Sequence, residues 1–191
     1  MYRSITLFCL QRGIIGEKGF IVGDLLFQLP NIDIFFDYNL NSGKTETFLN
    51  NINVEKEIRG MEVSRYVSEV SKIKEVRQKL VQLQQKIANK KGVVMDGRDI
   101  GTVVLPNAEL KIFLTSNKEI RAKRRHKELL EKGMNVSYDQ IVHNIENRDY
   151  QDTHREEDPL RKADDAIEID NSELSPEEQT QLVLDLAMER L

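Results

Sequence analysis

The stretch Val93-Val94-Met95-Asp96-Gly97-Arg98-Asp99-Ile100-Gly101-Thr102-Val103-Val104 constrains this chain most. An apolar run ends in Asp-Gly-Arg-Asp-x-Gly, which reads as a buried strand over 93–96 whose carboxyl end opens into a loop dense in charge and glycine. Open α/β sheets bind ligands in the crevice just outside the carboxyl ends of their strands. A carboxylate there can hold magnesium, directly or through water. An arginine offers phosphate a planar fork, and Asp99 is placed to accept hydrogen bonds from an amine on a base. The alternative is a loop steadied by an Asp–Arg pair. The crowding of Asp96, Arg98 and Asp99 beside Gly97 and Gly101 favours a site.

Strands alternating with helices around this loop predict an α/β fold with a parallel sheet. Ile5, Phe8 and Cys9 are spaced for a helix over Tyr2–Gln11, stopped by Gly13 and lacking a capping residue at its start. Residues 32–38 and 45–54 read as two strands joined by the turn Asn39-Leu40-Asn41-Ser42-Gly43-Lys44, with Glu57–Arg59 as a short third strand. A helical pattern runs over 61–91 with a break near Ile73. Residues 110–115 and 166–169 read as strands. Ser116 or Asn117 caps a helix running to about Lys132 and ended by Gly133. Ser137-x-x-Gln140 is a capping box, and Ser175-Pro176 starts the last helix. Residues 19–59 depart from the strand–helix rhythm and read as a small β insert.

A length of 191 residues suits one compact domain with such an insert. The formal net charge of −4 gives no pull toward nucleic acid or a membrane surface. With a single cysteine, Cys9, the chain holds no intrachain disulfide and no cysteine-rich zinc site, in keeping with a reducing cytoplasm. Cys9 sits on the apolar face of its helix and reads as core. His143 and His154 have no partner at metal-ligand spacing and read as ordinary helix residues.

Three further clusters carry charge or glycine. Ser42-Gly43-Lys44-Thr45 mimics the tail of a G-x-x-x-x-G-K-[ST] phosphate loop, but Tyr38 stands where the first glycine belongs, and the surroundings read as a hairpin. Arg121, Lys123, Arg124, Arg125, His126 and Lys127 form a basic helix with Arg121, Arg124 and Arg125 on one side. A polyphosphate clamp, a solvated face and an RNA patch all remain open for it. The acidic balance and the lack of interleaved aromatics count against RNA. Arg148, Asp152 and Arg155 fall on one helix face, either as a salt-bridge ladder or as a clamp that the carboxylate holds in shape.

Together these stretches resemble the bacterial cytidylate kinases, a nucleoside monophosphate kinase family. The resemblance rests on Asp96-Gly97-Arg98-Asp99-Ile100-Gly101-Thr102-Val103-Val104, Pro106-x-Ala108 and Lys111-Ile112-Phe113-Leu114. Glu57-Ile58-Arg59-x-x-Glu62-Val63, Glu131-Lys132-Gly133, Arg148-Asp149 and Asp158-Pro159-Leu160 add to it. It implies an adenylate-kinase-like P-loop NTPase fold, a parallel sheet with helices on both faces. Residues 1–18 and 92–191 would form the core, with a lid at about 117–136. Residues 19–91 would form the CMP-binding domain, enlarged by the insert. Arg3, Ser68, Arg77, Arg98, Asp99, Arg148, Asp152 and Arg155 would bind CMP. Arg121, Arg124 and Arg125 would reach the ATP phosphates. Asp96, Arg98 and Arg148 would act at the reacting groups, Asp96 near magnesium through water. The implied reaction is transfer of the ATP γ-phosphoryl group to CMP or dCMP by a cytoplasmic monomer.

In that family a strand, a glycine-rich phosphate loop and its helix precede the match that here begins at Met1. The expectation is that this N-terminal strand and P-loop are absent, which leaves the ATP site half built. It would also remove the central strand between 93–96 and 110–115. The alternative function on that expectation is a non-catalytic CMP-binding remnant or regulatory module.

Overall fold

The structure is a computed structural model that describes residues 1–131 and 133–190. They form two compact units, Met1–Lys86 and a second that begins at Ile87.

The first unit is built on three helices: α1 (Tyr2–Gln11), α3 (Met61–Ser71) and α4 (Lys74–Ala88). Helix α1 has the predicted bounds and no side-chain cap, and it ends where Gly13 takes φ +64°. It packs against α3, whose buried stripe is Val63, Val67 and Val70. The break near Ile73 separates α3 from α4, and the Ser71 hydroxyl there donates to the Ser68 carbonyl at 2.9 Å. Ile5, Phe8, Leu25, Ile32, Ile34, Val70, Val76 and Leu80 belong to one apolar cluster.

Between α1 and α3 lies the insert. A two-residue ribbon, β1 (Ile15–Gly16) with β2 (Gly19–Phe20), leads to α2 (Val22–Gln28) and a 3-10 turn at Leu29–Asn31. Sequence reasoning missed α2: it is under two turns long and only Leu25 on it is buried, so it carries almost no periodic signal. Strands β3 (Ile34–Asn39) and β4 (Lys44–Leu49) pair antiparallel with Asn39 opposite Lys44. Ser42 and Gly43 therefore occupy a hairpin turn, with Gly43 at φ +64°. Two expectations need correction. The strand over 45–54 is broken at Asn50 and Asn51, whose φ values of 48° and 67° suit asparagine, so its end becomes a separate β5 (Ile52–Asn53). Glu57–Arg59 is a 3-10 turn, not a strand, because only Ile58 turns inward and the Gly60 amide closes on the Glu57 carbonyl at 3.0 Å.

In the second unit, β6 (Ile112–Thr115) and β7 (Ile167–Asp170) pair in parallel, Ile112 opposite Ile167 through Thr115 opposite Asp170. Helices α5 (Lys118–Glu131) and α6 (Tyr138–His154) pack around Ala122, Leu129 and Ile141. Helix α7 (Pro176–Met188) follows β7. The Ser137 and Ser175 capping boxes are both formed, and Asn117 rather than Ser116 caps α5, its Oδ1 accepting from the Glu119 amide at 2.9 Å. Past α5 the Gly133 and Met134 amides return to the Leu130 and Leu129 carbonyls. The predicted helix end at Lys132 lies outside the described residues.

The buried strand expected over 93–96 is not formed. Among the described residues no strand pairs with it, and Val94 is fully exposed. Apolar composition gives strand propensity, but an extended segment becomes a strand only when a neighbour takes its N–H and C=O groups. The parallel sheet among the described residues is thus two-stranded, and the fold is α/β with small sheets.

Candidate functional site

The Asp-Gly-Arg-Asp loop is shaped by its own backbone. The Asp99 carbonyl accepts from the Val103 amide at 2.9 Å and from Val104 at 3.3 Å, and the Leu105 amide reaches the Ile100 carbonyl at 2.7 Å. The result is a single π-type turn, Ile100–Val104, where the sequence suggested irregular loop. A Cβ on Gly97 would meet the Ile100 side chain at 2.9 Å, so a larger residue there would push Ile100 aside. Gly101 lies against the stem of Lys111. The buried Lys111 ammonium donates to the Asp165 carboxylate at 2.7 and 2.9 Å and to the Pro106 carbonyl. Lys111 fixes the floor of the loop. Its signal in the sequence was a lysine opening an apolar strand, a position that favours lysine only when the charge is paired.

The loop meets the last turns of α6. Arg98 Nε donates to Asp152 Oδ2 at 2.8 Å, across 54 residues of chain. Arg148 Nε lies 3.7 Å from the same oxygen, and Arg155 Nη1 lies 3.8 Å from Asp152 Oδ1. Arg155 also faces Asp99 at 3.9 Å, with both side chains under a tenth exposed. Its Nε donates to the Asp158 carbonyl at 2.8 Å, and Asp158 takes the left-handed φ of 48°. The chain then folds back, so that the Leu160 amide reaches the Asp152 carbonyl at 2.6 Å.

Three arginines therefore surround two buried carboxylates. Arg155 is enclosed, whereas the side chains of Arg98 and Arg148 stay close to half exposed. Partial withdrawal from water, then the neighbouring Arg98 charge, hold the Arg148 guanidinium below its ordinary value, while Asp152 and Asp149 oppose the shift. Arg148 stays charged throughout the working pH range. A cluster with more guanidinium than carboxylate charge, and two forks open to solvent, suits a phosphate dianion.

The basic helix is bound up differently. Arg121 makes a two-pronged pair with Asp149 at 3.1 and 2.7 Å, linking α5 to α6. Arg124 donates to the carbonyls of Asn171, Ser172 and Leu174. Arg125 pairs with Glu128 of its own helix at 2.7 Å. The three thus have separate partners. Asp96 is exposed at the loop's start. No group of three or more His, Cys, Asp or Glu among the described residues forms a cage for a metal.

Arg3, Ser68 and Arg77 lie in the first unit. Arg3 donates to the Ile58 carbonyl at 2.6 Å and to Ser64 Oγ at 3.0 Å. Arg77 is buried, with its guanidinium 5.7 Å from the centre of the Tyr2 ring. Ser68 is half-buried on α3. Cys9 is fully buried, and burial pushes its thiol up to about 12, so it is not a nucleophile. His143 and His154 are exposed on α6 and, among the described residues, bond to nearby residues of that helix. Among the described residues no helix is long and apolar enough to cross a membrane.

Comparison with known proteins gives one consistent answer. The family model for cytidylate kinase matches residues 1–189. The cytidylate kinase of Flavobacterium psychrophilum is 54% identical over 186 residues, which cover 97% of this chain and 82% of that protein. That of Parabacteroides distasonis is 50% identical over 185 residues, 97% of this chain and 81% of the relative. That of Cytophaga hutchinsonii is 50% identical over 191 residues, 100% of this chain and 80% of the relative. The chain belongs to the cytidylate kinase family, and with it to the phosphotransferases.

Proposed function

We propose that the second unit binds CMP or dCMP through Arg98, Asp99, Arg148, Asp152 and Arg155. Arg3, Ser68 and Arg77 of the first unit join the same task. The reaction is phosphoryl transfer from ATP, giving CDP or dCDP and ADP, carried out by a cytoplasmic monomer with an adenylate-kinase-like architecture. The observation that carries this reading is the Asp152 carboxylate shared by Arg98, Arg148 and Arg155.

Phosphoryl transfer needs positioning and charge neutralisation more than covalent help from the protein. Asp152 holds Arg98 and Arg148 side by side, so their open N–H groups face one phosphate. Arg155, fixed by the Asp158 carbonyl, orients Asp99 toward the base amine. Arg121, Arg124 and Arg125 supply positive charge on the donor side, within a lid at about 117–136. Asp96, exposed at the start of the loop, is the carboxylate that would hold a magnesium ion through water. When bound, the ion neutralises charge between the transferred and leaving phosphates.

A second reading is CMP binding without turnover. Ser42-Gly43-Lys44-Thr45, the string closest to a phosphate loop, sits in a β hairpin rather than between a strand and a helix. CMP-dependent formation of ADP by the 191-residue chain separates the two. Turnover supports the kinase, and CMP binding with no turnover supports the second reading. In a turning-over enzyme Arg155→Ala raises the KM for CMP more than that for ATP, and equal effects contradict the assignment of Arg155.

A further inference from the structure

Arg121 differs from its two neighbours in what holds it. Arg124 is anchored on main-chain carbonyls and on the Asn171 side-chain oxygen, and Arg125 on a carboxylate of its own helix. Arg121 alone of the three is tied to an acid on another helix. Its Nη1 and Nη2 donate to the two oxygens of Asp149, and its Nε donates to the Ser116 carbonyl at 3.2 Å. A guanidinium grips an oxyanion with two parallel bonds from one complete edge. Here the end-on edge is spent on Asp149, and the side edge has given its Nε to Ser116. A phosphate can take a two-pronged grip on Arg121 only by displacing one of these partners. The Arg121 and Asp149 side chains are 36% and 38% exposed, so the exchange is open to solvent and the pair is a weak one.

Asp149 also follows Arg148 directly in sequence, and both Asp149 and Arg125 lie within electrostatic reach of Arg148. A carboxylate released by Arg121 would therefore remain among positive charges. We propose that Asp149 is a positioning residue that parks Arg121 and yields it to a polyphosphate, so that Asp149 sets the strength of donor binding. The proposal rests on the donor-side assignment of Arg121 made above.

A second pair between the same helices, Lys118 with Glu146 at 2.6 Å, provides the control. Losing either acid removes one negative charge from α6 and one tie to α5, but only Asp149 holds the arginine. Binding of inorganic tripolyphosphate to the full chain is measured by calorimetry at fixed ionic strength. Asp149→Asn tightens it roughly three- to fivefold, the value of an exposed but two-pronged pair. Glu146→Gln leaves it unchanged, and in an Arg121→Ala background Asp149→Asn gives no gain. Unchanged or weaker binding in Asp149→Asn, or an equal gain in Glu146→Gln, overturns the parking role. If Arg121→Ala itself binds as tightly as wild type, the donor-side assignment of Arg121 fails and the proposal fails with it.

Discussion

In the first unit, α1, α3 and α4 close over Ile5, Phe8, Val70, Val76 and Leu80, none more than 5% exposed. In the second, the comparable buried cluster is Ala122, Leu129 and Ile141 between α5 and α6, while Val94 and Leu114 face solvent. Across long stretches of chain the second unit is tied by the β6–β7 ladder and by ion pairs. Arg98 reaches Asp152, Arg121 reaches Asp149, Lys111 reaches Asp165 and Lys118 reaches Glu146. The contrast teaches that rigidity and chemistry are supplied in different places. Apolar burial has no direction and makes a stable platform. Ion pairs add little net stability, but they fix where guanidinium groups point.

The sharpest way to break this comparison is Leu80→Ala. It opens a cavity in the first unit and costs about 2–5 kcal/mol in urea unfolding. A loss below that range would show that the apolar platform is not what holds this unit. In the second unit Lys111→Met keeps the stem over Gly101 and removes the charge. The stranded Asp165 carboxylate is well exposed, so the cost is only roughly 1 kcal/mol by the same measurement. The smallest effect concerns Glu55. Partial burial pushes its carboxyl up, but hydrogen bonds from Thr47 and Arg59 outweigh this and hold it below the usual range. A carboxyl lowered in the folded state stabilises above its unfolded value and loses that contribution as pH falls through the folded one. Glu55→Gln is therefore less stable than wild type at neutral pH. The gap closes as pH drops below the ordinary value of 4.5, which thermal unfolding across pH would reveal.

Much of the local structure was legible because its causes are local. The bounds of α1, the break at Ile73, the Ser137 capping box, the start of α7 at Ser175-Pro176 and the hairpin at Gly43 follow from side chains acting on their own backbone. Arg148 and Asp152 followed from helical spacing, whereas Arg155, expected on the same helix face, lies just past the end of α6 in extended backbone and approaches Asp152 from there. Residues 93–96 failed because strand formation depends on a neighbour that local composition does not encode. Asp149 stood in plain view beside Arg148, but its partner lies 28 residues away on α5. Lys111 showed in the sequence only as a lysine opening an apolar strand, and its place beneath Gly101 needed the packing. The cluster was therefore readable as arginines around the Asp152 carboxylate, while the reach of Arg98 to Asp152 was not.

Titration calorimetry of CMP against wild type and Arg98→Ala tests the central claim most directly. Arg98 is close to half exposed, so its loss leaves the fold intact, which an unchanged far-UV spectrum verifies. Hydrogen bonds from a charged fork to phosphate predict at least a roughly tenfold weaker CMP affinity in the variant. Equal CMP affinity in the two proteins would contradict a phosphate site built on the shared Asp152.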